Sequence, residues 1–236
     1  GEQWKLIRLL ERNANLDRRL EALPDEKALE ARQTAGMGLT RPEIAVLLSY
    51  AKIDLFEELL ASDVPEDPYL SKELLRYFPE QLTDTYGDVL TEHPLKREII
   101  ATRITNSLIN RMGATFAHRL HEEIGAGLGN IARAYTIARD VYQITPLWKR
   151  IESLDSRISA ELQLELMLES RRLIKHTTLW LLQNGESVSD IEAVVEAIRP
   201  TAQLLDAEFE QLMPASETER YEQRLNRYQK AGIPED

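Results

Sequence analysis

His118, His121 and Glu122 stand at i, i+3 and i+4, so a helix would bring two imidazoles and a carboxylate to one face, where they could ligate a divalent metal. A closed site needs another ligand, which the sequence does not nominate, and HRLHEE reads more simply as a solvated helix end. Gly125, Gly127 and Gly129 in GAGLGN invite comparison with a dinucleotide loop. Such a loop works when a strand delivers the glycines and a helix N-terminus receives the pyrophosphate. Here a helical segment precedes them at the spacing G-x-G-x-G, so a loop between helices is expected. Asp63, Glu66 and Asp67 cluster beside prolines; they could hold a cation, but turn formation and helix N-terminal charge are the simpler roles.

Asn106 and Asn110, with Arg103 and Arg111 near them, form a polar row at helical spacing that could line a pocket or bridge neighbouring helices through buried amides. Nucleophilic catalysis finds no support, because the chain has no cysteine, no G-x-S-x-G elbow and no evident Ser and Asp partners for its histidines. No catalytic, cofactor-binding or metal-binding residue is therefore expected in it.

The totals narrow the classes further. The chain has 236 residues, 43% apolar and 29% charged, with mean hydropathy −0.38, the balance of a soluble globular protein. No apolar run approaches the ~18 residues of a membrane span, and GEQWKLIRLLER is not a secretory leader. A formal charge of −11 repels a phosphate backbone, and the basic residues are interleaved with acids, so neither nucleic acid nor membrane is an expected partner. The lack of cysteine fits a reducing cytoplasm. Gly1 and the ending YQKAGIPED suggest the edges of an excised piece of a longer chain.

The elements that position these groups read as helices. In GMGLTRPEIAVLLSYAK, Gly36 and Gly38 close one helix near Ala35, and Thr40 and Glu43 stand at the spacing of a reciprocal cap for the next. Pro42 fits the first turn, and Ile44, Leu47, Leu48, Ala51, Leu55 and Leu59 recur at threes and fours as one apolar side. Earlier, Asn15 could cap a short helix carrying Leu16, Leu20 and Leu23. The apolar spacing predicts two long helices, at about 94–124 with a break near Gly113, and at 159–184, where Leu162, Leu166, Leu173 and Trp180 share a side with Met167, Ile174 and Leu181 beside them and Gly185 ends the run. Ser189 with Glu192 and Ser216 with Glu219 repeat the capping spacing, and Pro200 should separate two helices. Nothing alternates like a strand, and no fixed period suggests a solenoid. The expected fold is all-α, an irregular multi-helix bundle over residues 1–236, with any seam near 125–129 or 185.

The segment GLTRPEIAVLLSYAKIDLFEELLASDVPEDPYL, followed by HPLKREIIATRITNSLINRMGATF, resembles the helical region downstream of the catalytic domains in the large-subunit bacterial NAD-specific glutamate dehydrogenases. The resemblance runs from about Leu6 to about Pro234 and rests on two long, ordered motifs. It implies a complete enzyme that oxidatively deaminates L-glutamate with NAD, whose catalytic lysines, aspartate and nucleotide-binding glycines lie upstream; no position here matches them. It also supplies neighbours, the dehydrogenase domains of the same chain and adjacent subunits. Arg41 and Lys52, which bracket the central helix, could hold carboxylates there or be plain surface charges. The expectation is a non-catalytic domain supporting packing or assembly. The alternatives are a regulatory module binding an effector at the Asn106 and Asn110 row, and a free-standing helical adaptor.

Overall fold

The computed structural model describes residues 2–14, 16–184 and 188–234, and all regular structure among them is helical. The chain divides into two compact units, residues 1–133 and 134–236.

In the first unit, α1 (Glu2–Asn13) buries Leu6, Ile7 and Leu10. Residues 16–23 form turns instead of the short helix expected there, and Asn15, its expected cap, lies outside the described residues. Asp17 Oδ1 accepts from the amides of Arg19 and Leu20, an aspartate turn that offers the backbone an alternative to helical bonds. Leu20 consequently points outward at 79% exposure, while Leu16 and Leu23 are buried. The helix α2 (Glu26–Thr34) starts where Asp25 accepts from the Ala28 amide at 2.8 Å, and Gly36 closes it with φ of 69°. α3 (Arg41–Ala61) opens with the expected capping box, in which the Thr40 amide donates to Glu43 Oε2 at 2.6 Å. Glu43 also takes both oxygens to Arg32, tying α2 to α3.

Two short 3-10 turns, Val64–Glu66 and Pro68–Leu70, lead into α4 (Ser71–Leu75) and α5 (Glu80–Leu90). α5 bends at Tyr86, beside Gly87, and none of its residues is buried. The stripe of α3 (Leu47, Ala51, Leu55, Leu59) is buried, and so is that of α6 (Lys96–Met112), which packs against it. The expected break falls at Gly113, where φ of 88° and ψ of 161° occupy a region that essentially only glycine enters. Beyond it lie α7 (Phe116–Ile124) and α8 (Leu128–Val141), the helix within which the two units divide.

In the second unit, α9 (Ile144–Ser153) packs on α10 (Ala160–Gln183), which Ser159 caps by accepting from the Leu162 amide. The buried side of α10 is shifted from the expected row: Leu173 and Trp180 are exposed, while the neighbouring Ile174 and Leu181 face inward together with Ser170 and Thr178. The two hydroxyls are satisfied there, because Ser170 accepts from Trp148 Nε1 at 2.9 Å and Thr178 donates to the Ile174 carbonyl at 2.7 Å. Gly185, the expected helix end and one of the two expected seams, lies outside the described residues.

Three further expectations are corrected. Pro200 does not divide its segment; α11 (Ile191–Ala207) runs through it, with Pro200 exposed so that the carbonyl it leaves unbonded can be solvated. Asp190, not Ser189, caps α11 by accepting from the Ala193 amide at 3.0 Å. After the short α12 (Phe209–Leu212), α13 (Ala215–Lys230) starts from Pro214, whose carbonyl accepts from the Glu217 amide, so Ser216 falls inside the first turn rather than at the cap.

The backbone at Gly113 yields a stability prediction. Gly113→Ala should cost about 1–3 kcal/mol in urea unfolding. Gly87→Ala, where nothing lies within 4 Å of the added Cβ, should cost nothing; equal losses at both positions would contradict the role given to φ.

Candidate functional site

The sequence candidates are not gathered into a centre. His118 is buried with its Nε2 3.2 Å from Asp54 Oδ2, a contact outside hydrogen-bonding angle that leaves both atoms without a hydrogen-bond partner. His121 turns its Nδ1 to the Ala126 carbonyl at 2.8 Å, and Glu122 pairs with Lys5 at 3.3 Å. The proposed metal face is thus dispersed, and among the described residues no group of three His, Asp or Glu is placed to hold a metal. A cleft of about 210 Å³ lies beside His118, between α1 and α7. Its charged groups bond one another: Lys5 meets Glu122, and Arg119 meets Glu2 at 3.1 Å and Glu123 at 3.6 Å.

Of GAGLGN, residues 125–127 form a loop between helices, and Leu128, Gly129 and Asn130 already lie in the first turn of α8. Gly125 closes α7 in the left-handed region, and Gly129 lets Val64 approach, since a Cβ there would stand 3.2 Å from Val64 Cγ2. The acidic cluster is tied down. Arg133, buried in α8, reaches Asp63 at 2.9 Å and Asp67 at 3.7 Å; Glu66 pairs with Arg97, whose guanidinium also donates to the Leu60 carbonyl. The Arg133 hydrogen bond holds the Asp63 carboxyl below the usual range.

Arg103 donates from Nε to Glu73 Oε2 at 3.2 Å, and Arg76 meets the other oxygen of the same carboxylate at 2.8 Å. Asn106 is half-buried and Asn110 exposed, and neither amide bonds another helix among the described residues. Arg41 is exposed and Lys52 half-buried, with no ion pair for either among the described residues. Eleven residues apart on α3, they differ by about 20° in direction and stand about 16 Å apart along the axis, so both cations face one way.

Several buried charged residues escaped the sequence reading, among them Asp54, Glu73, Arg133, Arg139 and Asp140. A signal for Asp54 existed, because it falls between Ala51 and Leu55 on the apolar side of α3, where an unpaired acid is rare. Burial, reinforced by Glu58 and Glu57 and opposed by a hydrogen bond from Asn13, raises its pKa to about 6. Burial, with His121 nearby and Glu122 opposing, lowers that of His118 to about 4.

The two shifts act oppositely on stability. His118, lowered when folded, contributes stability that is present above its unfolded value of 6.5 and lost as pH falls through 4. Asp54, raised when folded, contributes stability that is present below 3.8 and lost as pH rises through 6. The wild-type chain should therefore be nearly flat between these limits with respect to this pair. Asp54→Asn leaves the histidine uncompensated, so its stability should fall by about 3 kcal/mol from pH 7 to pH 4, at about 1.4 kcal/mol per tenfold change in proton affinity. Denaturant unfolding across that range checks this, and parallel curves for the two proteins would contradict the pairing.

The family model described as "Glutamate dehydrogenase, C-terminal" matches residues 36–236. The NAD-specific glutamate dehydrogenase of Pseudomonas aeruginosa is 41% identical over 235 residues, taking in all of this chain and 14% of that protein. That of Halomonas elongata is 38% identical with the same coverage, and that of Mycobacterium tuberculosis is 30% identical over 98% of this chain. The chain spans about one seventh of the length of these curated relatives. Matched over most of its length by the family model, and over nearly all of it by relatives 30–41% identical, the chain belongs to the glutamate dehydrogenase C-terminal family.

Proposed function

We propose that this chain is the non-catalytic helical domain of a cytoplasmic, oligomeric NAD-dependent glutamate dehydrogenase. The whole enzyme would convert L-glutamate, NAD and water to 2-oxoglutarate, ammonia and NADH. The domain would pack on the dehydrogenase domains of the same polypeptide or of a neighbouring subunit and so support assembly.

One observation carries this reading: the buried charges are turned inward as ties, and apolar side chains are turned outward. Glu73 joins Arg76 and Arg103, and Arg133 joins Asp63 and Asp67. A reaction centre needs the reverse, polar groups converging on a cleft. Outside, α5 exposes Leu82, Tyr86 and Val89, and the end of α11 with α12 exposes Leu204, Leu205, Phe209 and Leu212. Exposed apolar clusters of this kind mark surfaces that other protein covers. Arg41 and Lys52, facing one way, suit carboxylates on such a neighbour. The effector-binding alternative has less support, since Arg103 is engaged by Glu73 and Asn110 is open to solvent.

Two measurements test the reading. The isolated chain mixed with L-glutamate and NAD should produce no NADH absorbance; measurable turnover would overturn it. A full-length dehydrogenase of the family truncated before the matched region should lose its assembled mass in light scattering together with its activity. Unchanged mass and turnover would show that the domain supports neither.

A further inference from the structure

The second unit contains an apolar groove that its own helices do not fill. A cavity of about 870 Å³ lies among α9, α10, α12 and α13, lined by Leu147, Ile151, Leu166, Leu173 and Leu225. A second, of about 510 Å³, lies among Leu205, Leu212, Met213 and Pro214. The two share Phe209, Tyr221 and Arg224, so they are the two ends of one groove passing the edge-to-face pair Phe209–Tyr221, whose ring centroids are 5.5 Å apart. Protein interiors normally close such spaces to near-crystalline density. Here polar clamps at one edge fix the wall α13: Arg227 and the Tyr228 hydroxyl both bond Glu165 of α10.

Length and charge identify the occupant. Leu205 and Leu212 of the second cavity and Leu204 beyond it are each more than half exposed, so the apolar lining offers more surface than a compact small molecule covers. Side chains of an amphipathic helix, placed at i, i+3, i+4 and i+7, fit an elongated groove of this kind. Among the charged residues at its edge, Glu169 is held by Arg172, while Arg157, Arg224 and Asp206 have no ion pair among the described residues. The free charge is thus predominantly basic, in a chain whose net charge is −11. The relatives are about seven times longer than this chain, so most of such a polypeptide lies outside it. We infer that the groove is the seat of an amphipathic helix bearing carboxylates, supplied by the part of the same dehydrogenase polypeptide outside these 236 residues. Its apolar stripe lies along Phe209 and Leu173, and its carboxylates meet Arg157 and Arg224. This rests on the supporting role proposed above and names the surface through which the domain is held.

The test is photo-cross-linking in the full-length enzyme, with benzoylphenylalanine introduced separately at Leu147 and at Leu212, one near each end of the groove. Both positions should cross-link to a single stretch outside the domain that carries apolar residues at helical spacing and acidic residues beside them. Arg157→Glu with Arg224→Glu should abolish both cross-links while circular dichroism stays unchanged. Cross-links confined to the domain itself, to the same domain of a second copy or to a small molecule would overturn the inference, as would their complete absence. The truncation experiment separates the two failures: if truncation disrupts assembly and neither position cross-links outside the domain, only the groove assignment falls. If truncation changes nothing, the supporting role falls as well.

Discussion

In the first unit, α3 and α6 lie against each other and bury Leu47, Ala51, Leu55 and Leu59 on one side and Ile100, Ile104 and Leu108 on the other. Each leucine or isoleucine among them removed from water contributes about 1.5–3 kcal/mol, so this contact sets where the remaining helices of the unit can go. The ends of both helices follow from it. Thr40 and Glu43 fix the start of α3, Arg97 of α6 reaches the carbonyls of Leu60 and Ser62 at its end, and Gly113 stops α6. Into the same contact α3 carries Asp54, which would be a liability alone. Beside His118 of α7 it becomes half of a pair that is close to neutral near pH 5, with the acid protonated and the imidazole uncharged.

This arrangement explains why titratable groups at core positions do not amount to an active site. Desolvation shifts both members of the pair, which is also how catalytic residues are tuned, yet Nε2 of His118 and Oδ2 of Asp54 are buried away from the cleft that His118 lines. Glu73 and Arg133 behave alike: each is buried and each draws two opposite charges onto itself, binding α4 to α6 in one case and the 3-10 turns to α8 in the other. The second unit holds a buried ion pair as well, Arg139 with Asp140 at 2.7 Å. Its polar groups close the helix contacts, as Trp148 does with Ser170, while apolar side chains of α10, α11 and α12 remain outside.

What could be read from the sequence was mostly what is decided locally. The Thr40, Pro42 and Glu43 start, the Gly36 closure and the break at Gly113 each depend on residues within one turn of each other, and each is in place. Misread features depended on contacts distant in sequence or on competing local bonds. Leu173 and Trp180 lost the inward side of α10 to Ser170 and Thr178, whose hydroxyls have partners the sequence does not reveal. Pro200 stayed inside a helix because its side faces water, and residues 16–23 gave up helical bonds to Asp17. Of the candidate site, His118 stood out by its spacing to His121 and Glu122, whereas Asp54 resembled an ordinary helix charge, because burial is a property of the neighbours.

A domain that acts by being covered should change its protection when its cover is present. Hydrogen exchange of amides, compared between the isolated chain and the full-length dehydrogenase, tests this most directly. The account predicts slower exchange in the full-length enzyme at α5, the end of α11, α12 and α13, with α3 and α6 equally slow in both. Identical exchange in every helix would contradict it, for it would mean that no other part of the enzyme rests on these faces.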